Sequence, residues 1–273
     1  MKETMLNKNT ILIDFDSIND LVKYLNEAKT NFWFKNNVSS KAVSDWYKRF
    51  SSTNSFEEAK NMLEFGWVDK SKEINKKFNM INKADFTKKQ VKFIEDVAGF
   101  QPIVPNYLIG IPNSMIRSKI VMQKQKVVTI NAQLPFSSYA SAENMERACL
   151  FNLLAIKCIE NSGVRVNFNI ITATKKNGKT GIIRLKVKNA NERLNISKIC
   201  FPATNPSYLR RIMFRVIETN KFYDSSFVIG YGSPVKDEEL VNLIKLKSSG
   251  EYLIPSGIEL TGKDRQLENL MKI

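Results

Sequence analysis

Alternation of apolar and polar residues predicts two β-strands near the middle of the chain, joined by a tight turn. Residues 164–171 alternate as a strand does, and a second such run returns over residues 181–187. Between the two runs, Asn177-Gly178 is the dipeptide typical of a two-residue turn, because both residues adopt positive φ readily. The pattern therefore predicts a β-hairpin.

Helical periodicity predicts amphipathic helices on either side of this hairpin. Ser141 caps a predicted helix over residues 142–161, and its apolar stripe is wide enough to pack against a sheet. Asn205 and Pro206 begin a second helix, with a cap followed by proline in the first turn. The remaining apolar runs predict strands over residues 127–130, 226–229 and 252–254, and a further helix begins at Asp237.

Before residue 120 the pattern is mainly helical. It predicts a short strand over Ile11–Ile13 and then helices over residues 18–26, 56–65, 70–82 and 87–97. Asp16-Ser17 can cap the first of these helices, and Ser55 can cap the second. The segment 100–120 contains prolines at 102, 105 and 112, which exclude a long regular helix and indicate an ordered apolar connector. We therefore expect a mainly helical N-terminal region, residues 1–120 with the connector over 100–120, and an α/β domain over residues 121–273.

The order of elements in the second region is strand, helix, hairpin, helix, strand, helix, strand, and it resembles a von Willebrand factor A-like domain. The resemblance implies a doubly wound, mostly parallel sheet with one antiparallel hairpin strand. In that family an Asp-x-Ser-x-Ser loop and a second aspartate bind Mg²⁺ through oxygen ligands. The matching positions here are Asn131, Gln133, Pro135 and Tyr231, and none of them is a carboxylate. The resemblance therefore implies a degenerate site without metal.

A second resemblance covers most of the chain and is to uncharacterised proteins encoded by bacteriophages and plasmids. It rests on Phe65-Gly66-Trp67, on the segment from Val104 to Met115, and on the segment from Asn205 to Arg211 followed by Phe214. The resemblance implies a mobile genetic element in a bacterial host and brings no activity or catalytic residue with it.

Net charge and the absence of histidine limit the possible functions. The 273 residues carry a formal net charge of +15 with a pI near 9.6, which suits a polyanionic partner. An AT-rich genome, which favours lysine and asparagine codons, is an alternative explanation for that charge. The chain contains no histidine, which excludes Ser-His-Asp and Cys-His catalysis and the HExxH type of zinc site.

Cysteine positions and hydropathy indicate the cellular setting. Cys149, Cys158 and Cys200 lie far apart in apolar surroundings, which favours buried free thiols in a reducing cytoplasm. No apolar run reaches the roughly 18 residues of a membrane span, and the N-terminus lacks the apolar stretch of a secretory signal. We therefore expect a cytoplasmic protein that does not associate with membranes.

Basic side chains on the predicted hairpin and on the helix after Asn205 are candidate contacts to nucleic acid. A basic hairpin can follow a phosphate backbone, and arginines can add bidentate phosphate contacts. The alternative is that these cations occupy solvated faces of a strand and a helix. The candidate nucleic-acid-binding residues are Lys175, Lys176, Lys179, Arg184, Lys186, Lys188, Arg210, Arg211 and Arg215.

The sequence favours a non-catalytic protein that binds DNA or RNA. A protein–protein adaptor is the alternative, with the connector and the loop 134–140 as candidate contact surfaces. A metal-dependent nuclease is a third hypothesis, and it would need ligands such as Asp14 with Asp16, or the acidic group 237–239. Those carboxylates are explained more simply as a turn with a helix cap and as partners of a helix dipole. We therefore predict no catalytic residue, no metal and no cofactor.

Overall fold

Strands and helices alternate along the chain, and the computed structural model describes residues 1–34, 39, 52–81, 91–120, 126–134, 142–246 and 250–254. The strands are β1 (Lys2–Asn7), β2 (Thr10–Phe15), β3 (Val91–Asp96), β4 (Gln101–Pro102), β5 (Met115–Ile120), β6 (Val127–Gln133), β7 (Arg165–Lys176), β8 (Lys179–Lys188), β9 (Ser233–Pro234) and β10 (Glu251–Ile254). The helices are α1 (Ile18–Glu27), α2 (Phe56–Phe65), α3 (Val68–Ile81), α4 (Val104–Leu108), α5 (Ala142–Asn161), α6 (Ile196–Thr204), α7 (Phe214–Thr219) and α8 (Asp237–Leu243). A π-helix over Tyr208–Met213 leads into α7, and 3₁₀ turns cover Phe32–Phe34 and Ser225–Phe227.

A mixed β-sheet organises the molecule. Its strand order is β1-β2-β8-β7-β6-β10, and β9 pairs with β7 outside this path. β2 runs parallel to β8, and β6 runs parallel to both β7 and β10, whereas β1–β2 and β7–β8 are antiparallel pairs. The prediction of an α/β protein with parallel strands, an antiparallel β7–β8 hairpin and several helices is confirmed at this level. The β1–β2 hairpin is a second antiparallel hairpin of the same sheet, which the sequence does not predict.

Several local predictions are confirmed by turn and cap geometry. Asn177 and Gly178 have φ values of 46° and 76°, as the turn of the β7–β8 hairpin requires. The side chains of Ser17 and Ser55 accept hydrogen bonds from the backbone of Asp20 and Glu58, at 3.1 and 3.0 Å, and so cap α1 and α2. These elements follow from short-range sequence, which explains why the sequence predicted them.

One face of the sheet carries the main hydrophobic core. Apolar side chains of β2, β6, β7 and β8 point toward helices α1, α2, α3, α5, α6 and α7, whose own apolar stripes are buried there. The fully buried residues at this interface include Ile13, Leu21, Leu63, Ile74, Leu153, Phe168, Leu185, Phe201 and Val216. Helices from before and after residue 120 therefore share a single core.

The opposite face of the sheet is divided into an apolar half and a polar half. In the apolar half, Leu12, Ile171 and Ile182 pack against Val235 and against Leu240 of α8. Because strand residues alternate between faces, polar positions of the same strands form the other half. This polar half consists of Asp14, Thr129, Asn131, Asn167, Asn169, Arg184, Lys186 and Glu251.

A small antiparallel sheet of order β3-β5-β4, with α4 between β4 and β5, occupies residues 91–120. The predicted helix over residues 87–97 is therefore wrong where the structure describes it. Residues 91–96 pair along their whole length with residues 115–120, and this pairing satisfies the backbone that a helix would otherwise satisfy. Residues 82–90 lie outside the described part of the chain.

The predicted strand over residues 226–229 is also wrong. The Asp224 side chain accepts a hydrogen bond from the Ser226 backbone at 2.9 Å and starts a 3₁₀ turn. Gly230, Tyr231 and Gly232 then have φ values of 77°, 57° and 94°, which an extended strand does not allow. The 3₁₀ turn and the positive φ values that follow it explain why residues 226–229 do not form a strand, although this run is apolar enough for one.

The N-terminal region contains β-strands as well as the predicted helices. The β1–β2 hairpin joins the large sheet through β2, which pairs with β8 from Thr10–Thr180 to Phe15–Leu185. Elements on both sides of the expected boundary at residues 120 and 121 thus belong to one sheet and one core. Among the described helices, none is both long enough and apolar enough to cross a membrane.

Candidate functional site

The hairpin-tip lysines all have partners within the chain. Lys175 forms an ion pair with Glu239 at 2.5 Å, and the Lys176 ammonium donates to the Ile229 carbonyl. Lys179 pairs with Asp224 at 2.6 Å. The Lys179 ammonium is the main reason that the pKa of Asp224 falls to about 2, well below its usual range. The hairpin tip therefore contacts the segment 224–239, and the carboxylates of Glu239 and Asp224 compensate part of its positive charge.

Arg184 and Lys186 lie in the polar half of the sheet, whereas Lys188 does not. Arg184 donates to both carboxylate oxygens of Asp14, at 2.5 and 3.0 Å, and to Glu251 at 3.2 Å. A β-bulge between β7 and β8 shifts the register beside Phe168. Lys188 is consequently turned inward.

Lys188 is buried and pairs with Glu160 of α5 at 2.7 Å. Its ammonium also donates to the carbonyls of Val166 and Asn189, at 3.0 and 3.1 Å. The prediction that Lys188 lies on the outer face of the hairpin is therefore wrong, because the alternation on which it rests is interrupted by the bulge. Its charge stabilises the contact between helix and sheet.

The arginines after Asn205 do not form an outward-facing row. Arg211 is completely buried and donates to the carbonyls of Ser39 and Thr53, at 3.1 and 3.0 Å. Arg215 donates to the Thr30 hydroxyl at 2.7 Å, and Arg210 is half-buried and also makes an interaction within the chain. The π-helix over Tyr208–Met213 has a wider turn than an α-helix, so the spacing used to place Arg211 outside does not apply.

The nine predicted cations thus occupy separate places: the hairpin tip, the polar half of the sheet, the α5 contact and the π-helix. Lys175, Lys176 and Lys179 share the hairpin tip, and Arg184 and Lys186 line one cavity. The other predicted contacts are distributed over different sides of the sheet and do not form one described basic surface.

The positions that match the metal ligands of the von Willebrand factor A-like family lie on opposite faces of the sheet. Asn131 and Gln133 are buried within β6, in or beside the polar half, and Gln133 donates to the Val235 carbonyl at 2.6 Å. Tyr231 instead stacks on Phe214 in the main core, with ring centroids 3.9 Å apart. Residue 135 lies outside the described residues, within which no group of three or more cysteine, aspartate or glutamate side chains is arranged to hold a metal.

The polar half encloses a cavity of about 290 Å³. Its floor is a chain of hydrogen bonds in which Asn169 donates to Asn131 and Asn131 donates to Glu251, each at 2.9 Å. Glu251 in turn accepts from Arg184, which also holds Asp14. At the rim, the Lys186 ammonium lies 3.5 Å from Asp16. The arrangement supplies fixed donors and acceptors to any small molecule that enters.

A second candidate site is the apolar surface of the small sheet. Leu108, Ile109 and Tyr107 expose 76%, 72% and 70% of their surface, although leucine and isoleucine are among the residue types most often buried. Phe93 and Phe100 contact each other edge-on, with centroids 5.9 Å apart. We define the apolar surface as Phe93, Val97, Phe100, Val104, Tyr107, Leu108, Ile109 and Ile111.

Comparison with known families assigns this chain to a family. A family model described as a domain of unknown function, DUF7192, matches residues 2–272. The chain belongs to the DUF7192 family. No curated protein and no solved structure matches the chain. The match includes both the polar cavity and the apolar surface, so each is part of this DUF7192 protein rather than of an appended segment.

The sequence patterns of this DUF7192 chain do not predict the cavity, and they predict only part of the apolar surface. Asp14 was considered only as a turn residue or a metal ligand, because its partner Arg184 is distant in sequence. Asn167 and Asn169 gave a signal, since their polar side chains alternate with buried apolar ones along β7. The apolar composition of the connector predicts a contact surface, and the structure exposes many of these apolar side chains.

Proposed function

We propose that this protein is a non-catalytic adaptor that binds a partner protein through the apolar surface. The observation that carries the proposal is the exposure of eight large apolar side chains within residues 93–111. Contiguous exposed apolar area is rare on monomers, and it marks protein interaction sites when it is large. A bound partner would remove these side chains from water, which is the main favourable term in protein association.

The chemistry of the surface defines the partner. Residues 97–114 contain no charged side chain, although the whole chain carries a net charge of +15. A polyanion is therefore not recognised at this surface, since phosphate contacts need cations. An apolar, uncharged face of another protein is complementary to it. β3 lies at one edge of the small sheet, where it could also pair with an extended strand of that partner.

The test compares how strongly the partner binds after lysine substitutions within the apolar surface and after a lysine substitution at an exposed apolar residue outside it. Tyr107 is replaced by a photo-crosslinking phenylalanine derivative in host cells to identify the partner, which is then purified. We expect Leu108→Lys combined with Ile109→Lys to weaken binding at least about 30-fold, as loss of a central apolar contact does. Ile229→Lys is the control, because Ile229 is 82% exposed and lies outside the apolar surface.

Equal affinity of the double variant and the control would overturn the proposal. Sedimentation of the chain alone provides a further check. A concentration-dependent dimer that disappears in the double variant would assign the surface to a second copy of this chain, and the adaptor role would then be wrong.

Nucleic acid is a second candidate partner, favoured by the net charge of +15. The lysines of the hairpin tip support it, since the Lys175–Glu239 and Lys179–Asp224 pairs are partly exposed and phosphates could replace the carboxylates. Affinity for single- or double-stranded oligonucleotides should then fall steeply between 50 and 200 mM salt, on the order of 10³-fold for six phosphate contacts. Affinity that does not change with salt would contradict this candidate.

The strand order β8-β7-β6-β10 supports a von Willebrand factor A-like scaffold for the C-terminal part. In it the first strand of that part, β6, lies beside β7, and the antiparallel β8 follows. A scaffold of this type without metal ligands suits a protein that works by binding partners. We include in the proposal an origin in a phage or plasmid and action in the cytoplasm of a bacterial host, which the neighbouring genes would test.

A further inference from the structure

The cavity in the polar half of the sheet has the composition of a ligand site. The geometry points to a binding site for a small anion that also carries hydrogen-bond donors, such as the hydroxyl groups of a phosphorylated polyol. Its walls come from β1, β2, β6, β7, β8 and β10, and none of its lining residues belongs to the apolar surface. The inference therefore does not depend on the adaptor role.

Hydrogen bonds among its own side chains hold the floor of the cavity before any ligand enters. Arg184 is held by the two oxygens of Asp14 on one side and by Glu251 on the other. Asn131 donates both to Glu251 and, at 3.4 Å, to the Tyr252 carbonyl. Because every one of these side chains stands on a strand of the sheet and is held by a neighbour, the site is preorganised for binding.

Asn169 supplies an acceptor that the described part of the protein does not use. Its Nδ2 donates to Asn131, while its Oδ1 is buried and has no hydrogen-bond partner there. Asn169 is only 3% exposed and lines the cavity. A buried acceptor without a donor is unfavourable, and a donor on a bound molecule would remove that cost. This residue therefore selects ligands that carry hydroxyl or amine groups.

The rim of the cavity supplies the positive charge. Within the described part of the chain, Lys186 forms one ion pair, with Asp16 at 3.5 Å, and the Asp16 side chain is 81% exposed. Lys2 also lines the cavity, on β1 opposite Asp14. Two ammonium groups therefore face a single exposed carboxylate at the rim.

The floor of the cavity carries a net negative charge. Asp14 and Glu251 share a single guanidinium, that of Arg184, so one negative charge is left over. A ligand would consequently place its anionic group toward the rim and its donors toward the floor. This polarity excludes a simple cation at the rim and favours an anion with donors at its other end.

The size of the cavity limits the ligand further. A volume of about 290 Å³ is that of about ten water molecules at roughly 30 Å³ each. A phosphorylated three-carbon polyol is small enough to fit within this volume, whereas a polymer could place only one residue inside. The site is thus suited to a small metabolite.

Binding is measured by isothermal titration calorimetry on the 273-residue chain, with inorganic phosphate and glycerol 3-phosphate as probes. We expect glycerol 3-phosphate to bind at least tenfold more tightly than phosphate, because its hydroxyls reach the floor. Lys186→Met should weaken both probes at least tenfold. The matched control is Lys23→Met, since Lys23 is an exposed lysine of α1 that does not line the cavity.

Asn169→Ala tests the acceptor, and we expect it to reduce the affinity for glycerol 3-phosphate to that for phosphate. If this variant does not fold, the comparison of Lys186→Met with Lys23→Met still decides. Absence of binding of both probes to the wild type at millimolar concentration would overturn the inference, as would equal binding by those two lysine variants. The Leu108→Lys and Ile109→Lys protein should bind the probes like the wild type, which separates this site from the adaptor surface.

Discussion

At the residue scale, burial changes the role of several cations. Lys188 and Arg211 are 2% and 0% exposed, and their donors are used by Glu160 and by backbone carbonyls. A buried charge without partners is strongly unfavourable, so these contacts are required once the side chains are inside. Such residues stabilise the fold, and they are poor candidates for contact with an external phosphate.

Arg184→Met should destabilise the protein by about 2–3 kcal/mol, because it leaves Asp14 and Glu251 in a partly buried site without their shared donor. Lys175→Met is the matched hairpin cation, and its exposed ion pair should make it cost less than about 0.5 kcal/mol. Urea unfolding followed by circular dichroism measures both. Equal midpoints for the two variants would show that the Arg184 network contributes nothing.

Cysteine reactivity should separate the three thiols, and one sequence-based expectation was wrong here. Cys149 and Cys200 are buried, but Cys158 is exposed on α5. Burial raises the pKa of Cys149, and it raises that of Cys200 to about 11, so both stay protonated and shielded at pH 8. We expect iodoacetamide to label one thiol per native chain, at Cys158, and three after denaturation. Mass spectrometry of the peptides checks this, and rapid native labelling of Cys149 would contradict the packing of α5.

At the element scale, the β7–β8 hairpin contains two glycines that are needed for different reasons. Gly178 has φ 76° and open space around it, so Gly178→Ala should cost about 1–2 kcal/mol through backbone strain alone. At Gly181 an added Cβ would lie 2.1 Å from the buried Tyr223 hydroxyl. Gly181→Ala should therefore cost about 3 kcal/mol or more by overpacking.

Thermal unfolding of both glycine variants and of the wild type measures this difference. A Gly181→Ala protein as stable as Gly178→Ala would mean that Tyr223 can move. That result would contradict the tight contact between the hairpin and the segment around Tyr223.

Elements whose cause is local were predictable, and those decided by distant partners were not. The Asn177-Gly178 turn, the Ser17 and Ser55 caps and the wide apolar stripe of α5 are properties of short segments. Residues 91–96 are apolar enough for either a helix or a strand, and only their pairing with residues 115–120 decides. The candidate sites follow the same rule: the apolar surface is one continuous segment, whereas the cavity joins Asp14 to Arg184 and Glu251.

At the scale of the whole molecule, the N-terminal hairpin connects the beginning of the chain to its C-terminal part, because β2 pairs with β8. β2 is separated from its neighbour β8 by about 170 residues of sequence, as the Asp14–Arg184 contact illustrates. Neither periodicity nor composition signals such a pairing, because the entropy of closing so long a loop is offset only by contacts in the folded sheet. The sequence therefore predicts a division near residue 120, whereas strands and helices from both sides of that position share one sheet and one core.

A truncated protein comprising residues 121–273 should fail to fold cooperatively. It would lack β2, so the outer edge of β8 would lose its parallel partner from Thr180 to Leu185. The main core would lose Ile13, Leu21 and Leu63 along with the rest of α1 and α2, and several such losses exceed the about 5–15 kcal/mol that stabilises a typical domain. Near-ultraviolet circular dichroism and thermal melting of the truncated protein and of the 273-residue chain measure this. A cooperative transition in the truncated protein would establish that residues 121–273 fold independently, and β2 would then be an accessory strand rather than part of the folding unit.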